Sequence, residues 1–218
     1  RPVSPWDFIH AVTSVRIAPS KIIGIGQNYR AHAAEMGKGI PTEPLMFLIP
    51  NTAVVGPGDP VVMPSQSSNV HYEGELAVVI GRMCKDVEPE DALKVVFGYT
   101  CANDVTARDL QKSDGQWSRA KGFDTFCPLG PWIETDLDPM DQPLVTRLDG
   151  EIVQDGHTSD MVHGVAELIS HASKAFTLLP GDVILTGTPA GVGPVEVGQR
   201  VDVEIGDIGL LSNPFVRP

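Results

Sequence analysis

Two glutamates placed two positions apart, Glu73 and Glu75, are the residues whose spacing most strongly suggests chemistry. Side chains alternate across a β-strand, so we expect both carboxylates on one face, about 7 Å apart. Residues 76–80 follow directly and are all apolar, which is typical of a strand buried on both faces. Two carboxylates in such a place repel each other and lose water, which is unfavourable unless a cation compensates. The spacing therefore indicates either a cation site or the solvated face of an antiparallel strand.

A third acidic residue, Asp104, follows a second mostly apolar run, 95–102, and precedes a charged segment. An acid at the end of a neighbouring strand would complete a set of oxygen ligands, although it is also a common way to end a strand. Ligation by oxygen alone suits Mg²⁺, Mn²⁺ or Ca²⁺ better than zinc. The residues themselves thus leave two interpretations open, a hard-cation site and a plain strand end.

The elements that must position these acids are mainly short strands. Runs rich in β-branched or apolar residues predict strands at 21–26, 44–48, 61–63, 72–81, 98–104, 131–134, 144–148, 151–154, 182–187 and 200–205. The dipeptide Asp149-Gly150 predicts a two-residue hairpin turn between two of them. Helices are predicted at 28–36, 88–97 and 161–176. Because strands outnumber helices and do not alternate with them, we expect a β-rich α+β roll or sandwich with peripheral helices.

The bulk properties exclude several classes of protein. The 218 residues fit one domain, 1–218, that is long enough to bury a core. A net charge of −12 repels phosphate backbones, so we do not expect a nucleic acid partner. The three cysteines form no C-x-x-C pair, which favours a reducing compartment. No apolar run is long enough for a membrane span, and the first residues lack an apolar signal core, so we expect a cytoplasmic protein. We also expect the N-terminal segment 1–20 to be truncated, because the sequence does not begin with methionine.

Five segments resemble the motifs of the fumarylacetoacetate hydrolase family and occur in the order of that family. They are 27–37, 73–76, 103–111, 121–125 and 181–193. The likeness is closest to the short, single-domain branch of acylpyruvases, oxaloacetate decarboxylases and bacterial catechol-pathway isomerases. It implies a mixed β-roll with a few peripheral helices, a homodimer, and Mg²⁺ or Mn²⁺ (with Ca²⁺ as a substitute in crystals) held by Glu73, Glu75 and Asp104. The resemblance therefore favours the cation site over the solvated strand.

The resemblance also implies catalytic roles for three further residues. His32 and Glu35 are one helical turn apart and would form a dyad on a lid helix that activates water. Lys121 would contact the negative charge that develops on the substrate. Without the resemblance, these would be an exposed surface pair and a surface lysine.

The substrate contacts implied by the resemblance lie in two of the motifs. Arg108 and Gln111 would bind a substrate carboxylate, since the guanidinium fork matches that group. Thr188, in the glycine-rich turn, would line the pocket. The competing interpretation of Arg108 is a pair with a local acid such as Asp109.

Together with the resemblance, the sequence predicts a divalent-metal-dependent enzyme acting on small 2-oxo or β-diketo acids. The leading hypothesis is C–C bond cleavage, by acylpyruvate hydrolysis or oxaloacetate decarboxylation through a metal-stabilised enolate, because His32 and Glu35 are both present. The alternative is a 2-hydroxyhepta-2,4-diene-1,7-dioate isomerase or decarboxylase of aromatic catabolism. A catalytically decayed metal-binding scaffold is a third class, which the presence of the acids, Lys121 and the dyad disfavours. Gly74 departs from the family, where a larger residue is common.

Overall fold

The computed structural model describes residues 18–35, 37 and 39–218. Most of the predicted N-terminal segment 1–20 lies outside the described residues. So does Met36, with which the first predicted helix ends.

Strands form where β-branched and apolar residues cluster, and they dominate the described part of the chain. They are β1 (Ile22–Gly26), β2 (Leu45–Ile49), β3 (Val54–Val55), β4 (Val61–Val62), β5 (Val70–Tyr72), β6 (Gly74–Ile80), β7 (Val96–Asn103), β8 (Thr106–Ala107), β9 (Cys127–Glu134), β10 (Pro143–Leu148), β11 (Glu151–His157), β12 (Val183–Leu185), β13 (Gly193–Pro194), β14 (Arg200–Ile205) and β15 (Gly209–Val216). The helices are α1 (Arg30–Glu35), α2 (Pro89–Ala92), α3 (Arg108–Asp114), α4 (Ser118–Lys121) and α5 (Val165–Ala175). Short 3₁₀ turns occur at Asn51–Ala53, Leu93–Val95, Thr158–Asp160 and Gly206–Ile208. No helix in this part of the chain is long and apolar enough to cross a membrane.

The strands of the described residues form three sheets. The largest has seven strands in the order β2-β1-β12-β6-β7-β9-β3, the second has the order β11-β10-β14-β15-β4, and the smallest has the order β13-β5-β8. The large sheet is mixed, since β1 pairs with β12 in parallel whereas β12, β6 and β7 are antiparallel. This architecture confirms the predicted β-rich α+β roll with few helices.

Strand β6 runs through the middle of the large sheet and is buried on both faces. Leu76, Val78 and Ile80 belong to one apolar cluster, which includes residues of the second sheet and of α5. Ala77 and Val79 belong to another, which includes residues of β1, β2 and β9. The apolar run after the two glutamates is therefore a doubly buried strand, as predicted.

Several element boundaries differ from the prediction. The expected strand 72–81 is interrupted at Glu73, where β5 of the small sheet gives way to β6 of the large one. The predicted helix 88–97 is wrong beyond residue 95: α2 is short, a 3₁₀ turn follows, and the β-branched run at 95–96 leads into β7. Helices α3 and α4 and strand β15 were not predicted.

Candidate active site

Glu73 lies at the junction between two sheets, and Glu75 is the second residue of β6. The Glu73 N–H donates to Asn103 Oδ1 (2.9 Å), and the Glu73 carbonyl oxygen accepts from the Asp104 N–H (2.9 Å). The start of β6 and the end of β7 are thereby fastened side by side. This local arrangement, rather than a regular strand, carries Glu73 and Asp104 toward each other.

The three predicted acids converge in the structure. Carboxylate oxygens of Glu73, Glu75 and Asp104 lie within 4.8 Å of one another. The three residues are 4%, 1% and 1% exposed, so the carboxylates are removed from bulk water. This cluster is much tighter than the spacing of two glutamates on a flat strand would give.

Lys121, at the end of α4, neutralises part of this cluster. Its ammonium group donates to Glu73 Oε2 (2.8 Å), Asp104 Oδ2 (2.6 Å) and Thr106 Oγ1 (2.8 Å). The residue is 2% exposed, so it is not a surface lysine. Because an ammonium group has three N–H donors, all of them are engaged here.

The three acids differ in the direction in which their surroundings shift the pKa. Burial raises the pKa of Glu75, and the neighbouring Asp104 and Glu73 carboxylates raise it further. Burial likewise raises the pKa of Asp104, although Lys121 opposes this. Burial acts in the same direction on Glu73, but Arg108 and Lys121 outweigh it and hold the pKa of this carboxyl well below its usual range. For Lys121, burial would lower the pKa, but Asp104 and Glu73 outweigh it, so the pKa is raised.

These residues fit a divalent cation. Asp104 Oδ1 is buried and has no hydrogen-bond partner in the described part of the chain. The other oxygen, Oδ2, accepts a hydrogen bond from Lys121, whereas the lone pairs of Oδ1 remain available to a ligand. The buried Oδ1 of Asp104 has no donor among the described residues, and the ionised form of the neighbouring Glu75 is disfavoured. A cation ligated by oxygens would stabilise both carboxylates.

A pocket opens onto the acids and collects most of the predicted residues. It is lined by Ile25, Gly26, Gln27, His32, Glu73, Glu75, Arg108, Gln111, Trp117, Lys121 and Thr188. The remaining two predicted residues contact this lining: Glu35 contacts His32, and Asp104 contacts Lys121. All nine predicted residues therefore belong to one site.

Trp117 is a lining residue that sequence reasoning missed. Its ring packs edge-on against Phe47, with centroids 5.3 Å apart. A Cβ at Gly26 would lie 2.4 Å from that ring, so glycine is needed for the ring to pack there. The only sequence signal was the position of Trp117 close to the Lys121 motif.

His32 and Glu35 lie on α1, above the acids. His32 Nδ1 is 3.2 Å from Glu35 Oε2, and both Glu35 carboxylate oxygens accept from the Gly191 N–H, at 3.2 and 3.3 Å. His32 is only 6% exposed, so the interpretation as an exposed surface pair does not hold for it. Because a carboxylate only accepts, the Nδ1 of His32 carries a proton and its Nε2 keeps a lone pair when the ring is neutral.

Arg108 is directed at the acid cluster rather than at its sequence neighbour. Its guanidinium forms an ion pair with Glu73, and its Nη1 donates to Gln111 Oε1 (2.9 Å). Asp109 instead accepts from the Ser67 hydroxyl (2.7 Å). The buried Nε of Arg108 has no partner among the described residues.

Thr188 lies in the glycine-rich turn that follows β12. Its hydroxyl donates to the Gly74 carbonyl oxygen (2.9 Å) and accepts from Gln154 Nε2 (2.8 Å). The preceding residue, Gly187, donates its N–H to Glu75 Oε2 (2.7 Å). The turn thus bonds to the Glu75 carboxylate and to the peptide group between Gly74 and Glu75, besides lining the pocket.

The chain was compared with known families and structures. The family model described as fumarylacetoacetate (FAA) hydrolase C-terminal matches residues 21–216. The mitochondrial oxaloacetate tautomerase fahd2 of Xenopus laevis is 46% identical over 210 residues, which cover 91% of this chain and 66% of that protein. The structure of 2-hydroxyhepta-2,4-diene-1,7-dioate isomerase from Mycobacterium marinum is 54% identical with a TM-score of 0.86, covering 92% of this chain and 76% of that one. Fumarylpyruvate hydrolase from Pseudomonas aeruginosa, solved in complex with Mn²⁺ and pyruvate, is 35% identical with a TM-score of 0.89, covering 95% and 94%.

The match over most of the chain shows that the protein belongs to the fumarylacetoacetate hydrolase family. The resemblance found in the sequence is thus confirmed. The protein is an enzyme of this family, whose named relatives include a tautomerase, an isomerase and a hydrolase.

Proposed function

We propose that the protein is a divalent-metal-dependent enzyme that cleaves a C–C bond in small 2-oxo or β-diketo acids. The reaction is acylpyruvate hydrolysis or oxaloacetate decarboxylation. One observation carries the proposal: a single pocket is lined by two acids of a buried triad, by a buried lysine and by a histidine oriented by a carboxylate. Each group alone has structural explanations, whereas their convergence on one pocket is typical of a catalytic site.

Glu73, Glu75 and Asp104 would hold the cation. The unpartnered Oδ1 of Asp104 and the raised pKa of Glu75 support this assignment. We propose Mg²⁺ or Mn²⁺, because all the donors are oxygens and the Pseudomonas relative was solved with Mn²⁺. When bound, the cation supplies positive charge against the negative charge that develops as a bond beside a 2-oxo group breaks.

His32 acts as the general base and Glu35 orients it. With its Nδ1 proton held by Glu35, the ring has Nε2 free to take a proton from water in acylpyruvate hydrolysis, as the water oxygen adds to the acyl carbonyl carbon. When the C–C bond then breaks, the imidazolium returns this proton to the carbon that leaves. The Glu35 carboxylate stabilises the imidazolium that forms. The Gly191 N–H keeps Glu35 in place during this transfer.

The cationic side chains attract an anionic substrate to a protein whose net charge is −12. Arg108 and Gln111 bind its carboxylate, and Thr188 forms part of the pocket wall. For Lys121 to contact developing negative charge, it must give up one of its three hydrogen bonds. The neutral Thr106 hydroxyl is the partner whose loss costs least, because the other two are carboxylates.

The alternative function is isomerisation of 2-hydroxyhepta-2,4-diene-1,7-dioate. It is favoured by the 54% identity to the Mycobacterium marinum isomerase. The same acids and cationic side chains would serve it, but a base that activates water would have no role. The His32–Glu35 pair therefore separates hydrolysis from isomerisation, whereas decarboxylation, which also consumes no water, is separated by the choice of substrate.

Purified protein supplied with Mg²⁺ or Mn²⁺ tests the proposal against acetylpyruvate, oxaloacetate and the dienedioate. We expect turnover of acetylpyruvate or oxaloacetate that is lost on chelation and in Glu73→Ala. The matched control is Glu90→Ala, which removes an exposed acid on α2. Turnover of the dienedioate alone would assign the isomerase. A wild-type protein that binds Mn²⁺ but turns over none of the three would instead fit the decayed metal-binding scaffold.

The single domain, the homodimer and the cytoplasmic location remain predictions. Sedimentation velocity measures the oligomeric state directly. A monomer at micromolar concentration would contradict the homodimer expected from the resemblance.

A further inference from the structure

A closed ring of three hydrogen bonds lies behind the two glutamates. The Gly74 N–H donates to Gln154 Oε1 (3.0 Å), and Gln154 Nε2 donates to Thr188 Oγ1 (2.8 Å). The Thr188 hydroxyl completes the ring by donating to the Gly74 carbonyl oxygen (2.9 Å). Both peptide groups of Gly74 are thereby held, and these are the groups that join it to Glu73 and Glu75. The ring therefore restrains the backbone of two of the three acids.

Gln154, on β11, is the residue that closes this ring. It is 1% exposed, and its second N–H donates to the Pro189 carbonyl oxygen (2.9 Å). Its side chain thus supplies one acceptor and two donors at three fixed positions, which is the full donor capacity of a primary amide. A side chain without an amide would leave buried polar groups unpaired.

The same strand also fixes the far end of the glycine-rich turn. Gly191 has a φ of +97°, and a Cβ there would lie 2.1 Å from the carbonyl oxygen of Val153, the neighbour of Gln154. From this position the Gly191 N–H reaches Glu35. The turn therefore gives one backbone N–H to Glu75, from Gly187, and another to Glu35.

We propose that Gln154 is a positioning residue that sets the placement of the acid triad relative to the His32–Glu35 pair. It acts through Gly74 at one end and through the turn 187–193 at the other, and it is not among the described residues that line the pocket. The inference rests on the proposed function, because positioning matters only if both groups are used. It adds a residue that touches neither cation nor substrate.

Gln154→Met is the direct test, because methionine has a similar size but cannot maintain the ring. Loss of a group that orients metal ligands typically weakens metal affinity or activity by about 10–100-fold. We expect a loss of that size in Mn²⁺ affinity, measured by calorimetry, together with a lower kcat. The matched control is Gln142→Met, which removes another buried glutamine amide, bonded to the Asp138 carbonyl oxygen (3.0 Å). It is expected to lower the melting temperature and to leave Mn²⁺ affinity within about twofold of wild type.

A kinetic cycle tests the second end of the connection. If Gln154 acts through the turn, Gln154→Met will lower kcat by a smaller factor in a Glu35→Gln background than in wild type. The reason is that Glu35→Gln already weakens the contact between the turn and Glu35 through which Gln154 would act. Equal factors in both backgrounds would overturn that part of the proposal.

Thr188→Val provides an independent variant, since it is isosteric and breaks two of the three ring bonds. It should weaken Mn²⁺ binding as Gln154→Met does, and it decides the matter if Gln154→Met does not fold. Mn²⁺ affinity and kcat within about twofold of wild type in the folded variants would overturn the proposal. Failure of the proposed function is distinct, because it would already appear as absent Mn²⁺ binding and turnover in the wild-type enzyme.

Discussion

The acid triad and the His32–Glu35 pair both contribute residues to one pocket, but they are held in different ways. The acids lie on or next to central strands of the large sheet, with β12 on one side of β6 and β7 on the other. Helix α1 has only six residues and is anchored mainly at its beginning, where the Asn28 side chain bonds to Thr186 and His163 at 2.8–3.0 Å. In the described residues beyond that anchor, Glu35 is tied to Gly191 by contacts of 3.2 and 3.3 Å.

This contrast matches the demands of the proposed chemistry. Carboxylates that repel each other must be held by the sheet, because burial and like charge oppose their convergence. A histidine that serves as a base needs one orientation only when substrate is present. The acids are therefore held by pairing within the large sheet, whereas Glu35 at the end of α1 is held by its contacts with Gly191 and His32.

The largest expected effect comes from Glu73→Ala, which removes one member of the acid triad. The variant loses one of three acids and leaves Lys121 and Arg108 short of a partner. Loss of about 4 kcal/mol of transition-state stabilisation corresponds to a roughly 10³-fold fall in kcat/KM. Steady-state kinetics and Mn²⁺ calorimetry measure it, with Glu90→Ala as control. Wild-type Mn²⁺ affinity in the variant would contradict the assignment of Glu73 as a ligand.

His32→Ala is expected to affect the His32–Glu35 pair alone. Removal of a general base typically costs about 10²–10⁴-fold in rate. We expect acetylpyruvate hydrolysis to fall in that range while Mn²⁺ affinity stays unchanged. His157→Ala, which removes a more exposed histidine bonded to Ser159, is the control. If Mn²⁺ affinity fell together with turnover, the acid triad and the His32–Glu35 pair would not be independent of each other.

Asp182→Asn tests the rigidity of the sheet without touching the pocket. This buried carboxylate accepts from the Ser20 hydroxyl (2.6 Å) and the Leu179 N–H (2.8 Å), and it pairs with Lys21 where β1 and β12 begin. We expect the free energy of unfolding at pH 7 to fall by about 2–3 kcal/mol, since hydrogen bonds to a charged group are lost.

The pH dependence of this effect has a defined sign. Burial acts to raise the pKa of Asp182, but the bonds from Lys21 and Ser20 outweigh it, so the pKa lies below its ordinary value of 3.8. The ionised form therefore stabilises the fold above that pH, and the contribution is lost as the pH falls below it. In urea unfolding, the difference in the free energy of unfolding between wild type and Asp182→Asn should become smaller as the pH falls. The control, Asp136→Asn at an exposed position, should have the same free energy of unfolding as wild type. A difference that grows at low pH would contradict a stabilising role for the ionised Asp182 carboxylate.

The smallest effect is expected from Gly74→Ala, at the backbone between the two glutamates. A Cβ there would lie 2.1 Å from Thr146 Oγ1, a buried hydroxyl without a partner in the described residues. Overpacking of this kind costs about 1–3 kcal/mol. Thr146→Ala alone should be close to neutral, and the double variant should recover much of the loss in chemical unfolding. Additive losses would show that Gly74 is needed for a different reason.

The sequence predicts this site well where chemistry depends on local pattern. The five apolar residues after Glu75 identify β6, and Asp104, the last residue of the predicted strand 98–104, directly follows the last residue of β7. Asp149 and Gly150 form the predicted hairpin turn, both with positive φ, between β10 and β11. In each case the physical signal lies within a few residues.

The remaining features depend on partners that are distant in sequence. Gln154 acquires its role from Gly74 and Thr188, which are 80 and 34 positions away. Strand β15 was missed because its buried face alternates through Asn213, a polar residue whose amide bonds to the Gly56 and Asp59 carbonyl oxygens. Helix α3 has no fully buried residue, so it carries no apolar periodicity.

The position of β12 between β1 and β6 has a consequence for protein synthesis. Strands β1 and β6 become neighbours only through β12, whose residues follow those of β1 by some 160 positions. On the ribosome, the edge of β6 that pairs with β12 therefore stays open until most of the chain has been translated. Such late closure through non-local pairing is slow and exposes the nascent chain to aggregation. A growing chain thus cannot supply the Gly187 N–H to Glu75 before the turn after β12 leaves the exit tunnel.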